Sequence, residues 1–133
     1  MGHELLEHTA DLGLRAWGPT LEEAVAEAIV GLAELMGARA AGSGRPLSLR
    51  AEGADDGSRF VGLLNEVVFV VETEAVAVAA ARVRREGQAL VAELEVVELE
   101  PEAEGMGVKA ATYHQLAVDE GPEGAEVRVY LDV

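Results

Sequence analysis

Residues 58–74 read SRFVGLLNEVVFVVETE, and whether they form a helix or a strand decides the fold class. Phe60, Leu63, Leu64, Val67, Val68 and Val71 recur at helical spacing, whereas Val67-Val68-Phe69-Val70-Val71 alone would suit a buried strand. The segment is too long for one strand and has no internal breaker, so the spacing predicts a helix. Just before it, Asp55-Asp56-Gly57-Ser58 carries turn chemistry. Pro46 to Glu52 alternates Leu47, Leu49 and Ala51 with Ser48, Arg50 and Glu52, as a half-buried strand does. Ala38 to Arg45 reads as a small-residue loop. A first helix precedes that loop and opens on Thr20-Leu21-Glu22-Glu23. This is a capping box: the Thr20 hydroxyl accepts from the Glu23 amide, and the Glu23 carboxylate reaches back to the amide of Thr20. Leu21, Ala24, Val25, Ala28, Ile29, Leu32 and Leu35 follow at helical spacing, and Gly37 is expected to close the helix in the left-handed conformation. Further back, Leu5 to Trp17 reads as two short extended pieces broken by Ala10-Asp11-Leu12-Gly13.

On the other side, Val76–Arg85 and Ala89–Glu100 read as a hairpin with Gly87-Gln88 near its turn. Leu90, Ala92, Leu94 and Val96 share a face, after which Val97 and Leu99 take the apolar role. That switch predicts a bulge near Val96-Val97. Pro101 to Gly107 is an acidic loop, and Val108–Val118 and Glu126–Val133 supply the last strands. The element order predicts an α+β sandwich, two helices packed on a largely antiparallel sheet system.

The chain has 133 residues, half of them hydrophobic and 26% charged, which fits one compact domain over 1–133. No apolar run approaches the roughly 18 residues a membrane span needs. Met1 to Glu7 carries acid where a secretory leader would carry Lys or Arg, so no signal peptide is expected. The absence of Cys excludes disulfides, zinc-thiolate sites and thiol nucleophiles, and points to the cytoplasm. Ten basic against 25 acidic residues leave a net charge of -15. Such a chain repels phosphate backbones, and a direct nucleic-acid binder would need a local basic patch. Arg82, Arg84 and Arg85 form the only basic cluster and read as a solvated strand end. Lys109 is the only Lys.

Three places combine unusual residues. Glu7-His8-Thr9-Ala10-Asp11-Leu12-Gly13 puts His, Thr and Asp in one turn. Gly107-Val108-Lys109-Ala110-Ala111-Thr112-Tyr113-His114 clusters the lone Lys with a His and a Tyr. Leu131-Asp132-Val133 ends the chain with a side-chain carboxylate one residue from the terminal one. If strand alternation buries Val133, these adjacent anions need a compensating cation, and a metal is one solution. Oxygen ligands without Cys favour Ca²⁺, Mg²⁺ or Mn²⁺ over zinc, and Asp11 is the best third carboxylate. The P-loop, dinucleotide fingerprint, nucleophile elbow and paired metal histidines are all absent. A small metal-dependent hydrolase using Asp11 and Asp132, with His8 or His114 as base, remains the alternative to a protein without catalysis of its own.

Together, the Glu7–Gly13 turn, Gly18-Pro19-Thr20-Leu21-Glu22-Glu23-Ala24, Leu63-Leu64-Asn65-Glu66-Val67-Val68-Phe69, Val108–His114 and Leu131–Val133 resemble the archease family. That resemblance implies a fold of nested strand-helix-strand-strand units. It implies an activator, with no chemistry of its own, of the GTP-dependent tRNA-splicing RNA ligase, promoting the ligase's guanylylation and repeated turnover. It also implies a metal site at Asp11, Asp132 and Val133, with calcium foremost. Lys109 and His114 are expected to contact the ligase, and nucleic acid would be engaged only through it.

Overall fold

A computed structural model describes residues 1–7, 12–37, 44–99, 105 and 107–133. The elements are β1 (Gly2–Glu7), β2 (Leu12–Gly18), α1 (Leu21–Met36), β3 (Arg45–Glu52), α2 (Asp56–Glu74), β4 (Val76–Glu86), β5 (Ala89–Glu98), β6 (Ala110–Gly121) and β7 (Gly124–Asp132). One sheet has the order β1-β2-β7-β6 and the other β3-β5-β4, every pairing antiparallel. The nesting is plain in this order. β3-α2-β4-β5 is one strand-helix-strand-strand unit, and it is inserted between α1 and β6 of the other, β2-α1-β6-β7. In each unit the last strand lies between the first two, and β1 extends the outer unit's sheet.

Local chemistry starts both helices. The Thr20 hydroxyl accepts from Glu23 N–H at 3.1 Å, which is one half of the expected box. α2 begins at Asp56, two residues before the expected Ser58, with Asp55 as its cap. Asp55 accepts from Ser58 N–H at 2.8 Å while the Ser58 hydroxyl returns to the Asp55 backbone, so Asp56-Gly57-Ser58 is the first turn of helix. Arg59, only 8% exposed, donates to the Gly53 and Gln88 carbonyls and to Asp56, tying α2 to the β4–β5 turn. Both helices pack against both sheets. Leu21, Val25, Ile29 and Leu32 of α1 meet Phe60, Leu64 and Val67 of α2, with Leu14, Val127, Val129 and Leu131 from one sheet and Leu90, Leu94 and Val96 from the other, in one core cluster. Burial of this apolar surface is the main stabilising term.

Several local expectations change. Gly37 is extended (φ 177) rather than left-handed; its lack of a side chain matters because a Cβ there would meet Leu99 Cδ1 at 2.9 Å. Leu12 and Gly13 belong to β2, not to the preceding turn, and a Cβ on Gly13 would lie 2.9 Å from the Tyr130 ring. The bulge sits on β4, where Ala79 is the extra residue between the pairs Val78–Val96 and Ala80–Glu95. Val96 faces the main core while Val97 packs with Ala77, Ala79 and Leu99 on the opposite face, so burial on both sides of β5 produced the apparent switch. β6 runs on to Gly121, three residues past the expected strand end at Val118. Gly124 follows the new turn at φ 132.

Candidate functional site

The end of β7 brings two distant stretches of chain together. Leu131 pairs with Leu12, so β2 begins at this end of the sheet. Ala110 pairs with Asp132, and Lys109 N–H donates to the Asp132 carbonyl at 2.8 Å. The side chains of Lys109 and Asp132 are exposed, and among the described residues neither has a hydrogen-bond or ion-pair partner. Asp11 and His8 lie outside the described residues. Among those described, no three His, Asp or Glu side chains converge as a metal-binding group. Val133 is 43% exposed, against the expectation that alternation would bury it. Pairing stops at Asp132, and beyond the last paired residue nothing holds the pleat that alternates burial. The donor chemistry at this end is of the kind a hard cation takes: the Asp132 carboxylate, exposed and without a partner among the described residues.

Four contacts hold the Lys109 segment. Val108 is fully buried and anchors it in the core. Lys109 bonds to Asp132 as above. Asn65, the only Asn in the chain, accepts Ala111 N–H at 2.7 Å and donates to Ala111 O at 3.2 Å. Thr112 Oγ1 donates to Tyr130 O at 2.9 Å. The sequence reading contained Asn65 without a role, although an amide inside the apolar run Leu63–Val68 is a signal that something must satisfy it.

His114 lies on a bulge rather than on a regular strand. The register steps from Thr112–Tyr130 to Ala117–Arg128, so Tyr113 to Leu116 stand opposite the single residue Val129. Gln115 takes φ 51 within it, Tyr113 is 63% exposed, and Leu116 turns back onto the core. The failure of apolar alternation between Ala111 and Leu116 was the available signal. The His114 ring meets Tyr130 edge-on, with centroids 6.0 Å apart. Beside them Arg15 is held by Glu4 at 3.0 Å and by Glu126, and stacks 4.7 Å over Trp17. The Glu126 hydrogen bond raises the Arg15 pKa above its ordinary value. Two of the three arginines of the basic cluster are neutralised: Arg84 pairs with Glu86 and Glu93, Arg85 with Asp56 and Glu22, while Arg82 is exposed and has no carboxylate among the described residues.

No helix among the described residues is long and apolar enough to cross a membrane. The family model described as the Archease protein family (MTH1598/TM1083) matches residues 3–133. "Protein archease" of Thermococcus gammatolerans is 32% identical over 128 residues, covering 91% of this chain and 90% of that one. The solution structure of Methanobacterium thermoautotrophicum protein 1598 superposes with a TM-score of 0.74 at 24% identity, covering 99% of both chains. A Thermotoga maritima crystal structure, described as an archease and possible chaperone, gives a TM-score of 0.68 at 21% identity, over 96% of this chain and 94% of that one.

Proposed function

Because this chain belongs to the archease family, we propose that it is a cytoplasmic accessory protein, without catalysis of its own, that activates the GTP-dependent tRNA-splicing RNA ligase. It promotes guanylylation of the ligase and lets it turn over repeatedly. The observation that supports this reading is the backbone meeting of Lys109 and Asp132 at one sheet end, where both side chains are exposed and neither has a partner among the described residues. An activator accelerates a partner's step only by binding its transition state or competent conformer more tightly than its resting state. A cation and an anion carried by neighbouring strand ends whose backbones are bonded are suited to such differential contact. Asp11, Asp132 and the terminal carboxylate of Val133 would hold a hard divalent cation, Ca²⁺ first, with Mg²⁺ or Mn²⁺ as substitutes. That ion would supply positive charge where the three carboxylates otherwise repel one another.

The test is ligase–GMP formation and ligation turnover with the cognate ligase, with and without this chain. Substoichiometric chain should raise both. Lys109→Ala should keep the wild-type melting temperature and lose most of the enhancement; full enhancement by that variant would remove Lys109 from the mechanism. Hydrolysis of phosphoesters by the purified chain with divalent metal, and no effect on the ligase, would favour the hydrolase reading instead.

A further inference from the structure

Arg128 lies on the face of the four-stranded sheet turned away from the helices, since its strand neighbours Val127 and Val129 face the core. It is paired across the sheet with Arg15 on one side and Ala117 on the other. Its Nε is buried, and among the described residues no hydrogen bond or ion pair satisfies the side chain. A guanidinium is always charged, and withdrawing part of it from water without a partner costs free energy. Carboxylates are abundant in a chain of net charge -15. Arg15 takes two of them, and Arg45, Arg50, Arg59, Arg84 and Arg85 each have at least one; only Arg128 and the exposed Arg82 have none among the described residues. Alternate residues of β7 put Arg128, Tyr130 and Asp132 on one face, Arg128 and Asp132 about 13 Å apart at roughly 3.3 Å per residue. Tyr130, 7% exposed, lies between them with His114 against its ring.

We propose that Arg128 is a docking residue that receives a carboxylate of the protein partner, which then lies across this face from Arg128, past the exposed His114, to Asp132. The inference rests on the ligase-activator reading. Charge favours a protein carboxylate over RNA phosphate. Glu4, Glu126 and Asp132 share the face, and a strand of phosphates laid along it would be repelled. A single acid set in a basic protein surface complements a single base set in an acidic one, and the two terminal Nη groups of the guanidinium can donate to it in parallel.

The experiment measures ligase affinity and thermal stability for the wild-type chain, Arg128→Met and Arg128→Lys. Arg128→Met should melt at or above the wild-type temperature, because an unsatisfied buried donor is removed, while its Kd for the ligase rises at least about tenfold. Arg128→Lys should recover part of the affinity. An affinity of Arg128→Met within about twofold of wild type overturns the proposal. So does a melting temperature several degrees lower, which would mean that the fold itself satisfies the guanidinium. If the wild-type chain does not bind the ligase at all, the activator reading fails separately, and acetate becomes the probe. At constant ionic strength against chloride, a saturable shift of the Arg128 Nε–H resonance supports carboxylate docking and its absence overturns it. Loss of tRNA binding by Arg128→Met with ligase affinity intact would assign the residue to RNA and likewise overturn it.

Discussion

Two hydrogen bonds between the Asn65 side-chain amide and the Ala111 backbone, one donated by each, occupy the place of a ladder partner on the free edge of β6. Removing one side of such an arrangement orphans a backbone N–H and C=O that are part-buried, which costs about 1–3 kcal/mol. Asn65→Ala should therefore lower the stability measured by urea unfolding by that amount and leave the Ala111 amide exchanging rapidly with solvent. Because Ala111 lies two residues from Lys109, ligase activation should fall further than the loss of folded protein explains. Unchanged amide protection in the variant would show that β6 is held without the clamp. Lys109 itself belongs to a different class of residue. Its backbone bonds to Asp132 while its side chain has no partner among the described residues, so Lys109→Ala should leave stability unchanged.

The start of α2 shows an element whose charges are organised by its neighbours. Asp56 accepts from Arg85 on β4 and from Arg59 one turn on, and these hydrogen bonds, Arg85's first, lower its pKa below the usual aspartate value. The Ser58 backbone N–H does the same for Asp55. A carboxyl depressed in the folded state contributes stability that is complete above its unfolded value, about 3.9, and is lost as pH falls through the lower folded value. Asp56→Asn should consequently melt below wild type at pH 7, and the difference should shrink as pH is lowered below about 4. Thermal melts across that range check the sign. A difference that stays constant down to the acid limit would assign the loss to packing instead of charge.

For the whole molecule, 25 acidic residues against 10 basic ones mean that like-charge repulsion outweighs the ion pairs. Raising NaCl from about 0.01 to 0.15 M shortens the screening length from about 30 to 8 Å, which weakens long-range repulsion more than close pairs. The melting temperature at pH 7 should rise with salt, while association with a basic partner should slow. A melting temperature that falls with salt would mean that networks such as Arg50–Glu86–Arg84 govern stability instead.

What the amino-acid order determined by itself was local: the periodicity of residues 58–74, the Thr20 cap, the Gly87-Gln88 turn and the element order that excludes an all-α or all-β chain. These depend on residues within a few positions of one another, and backbone geometry links them directly. Tertiary structure alone decided which distant residues meet. Leu12 beside Leu131, Asn65 on Ala111, Tyr130 over Gly13 and Leu99 over Gly37 are contacts between remote segments. The same packing put the bulge on β4, opened β6 at Tyr113–Leu116, left Val133 exposed and left Arg128 without a carboxylate among the described residues. Alternation and spacing report which face of an element is apolar. They carry no information on what the opposite face will touch, because that is set by how two sheets and two helices close around one core.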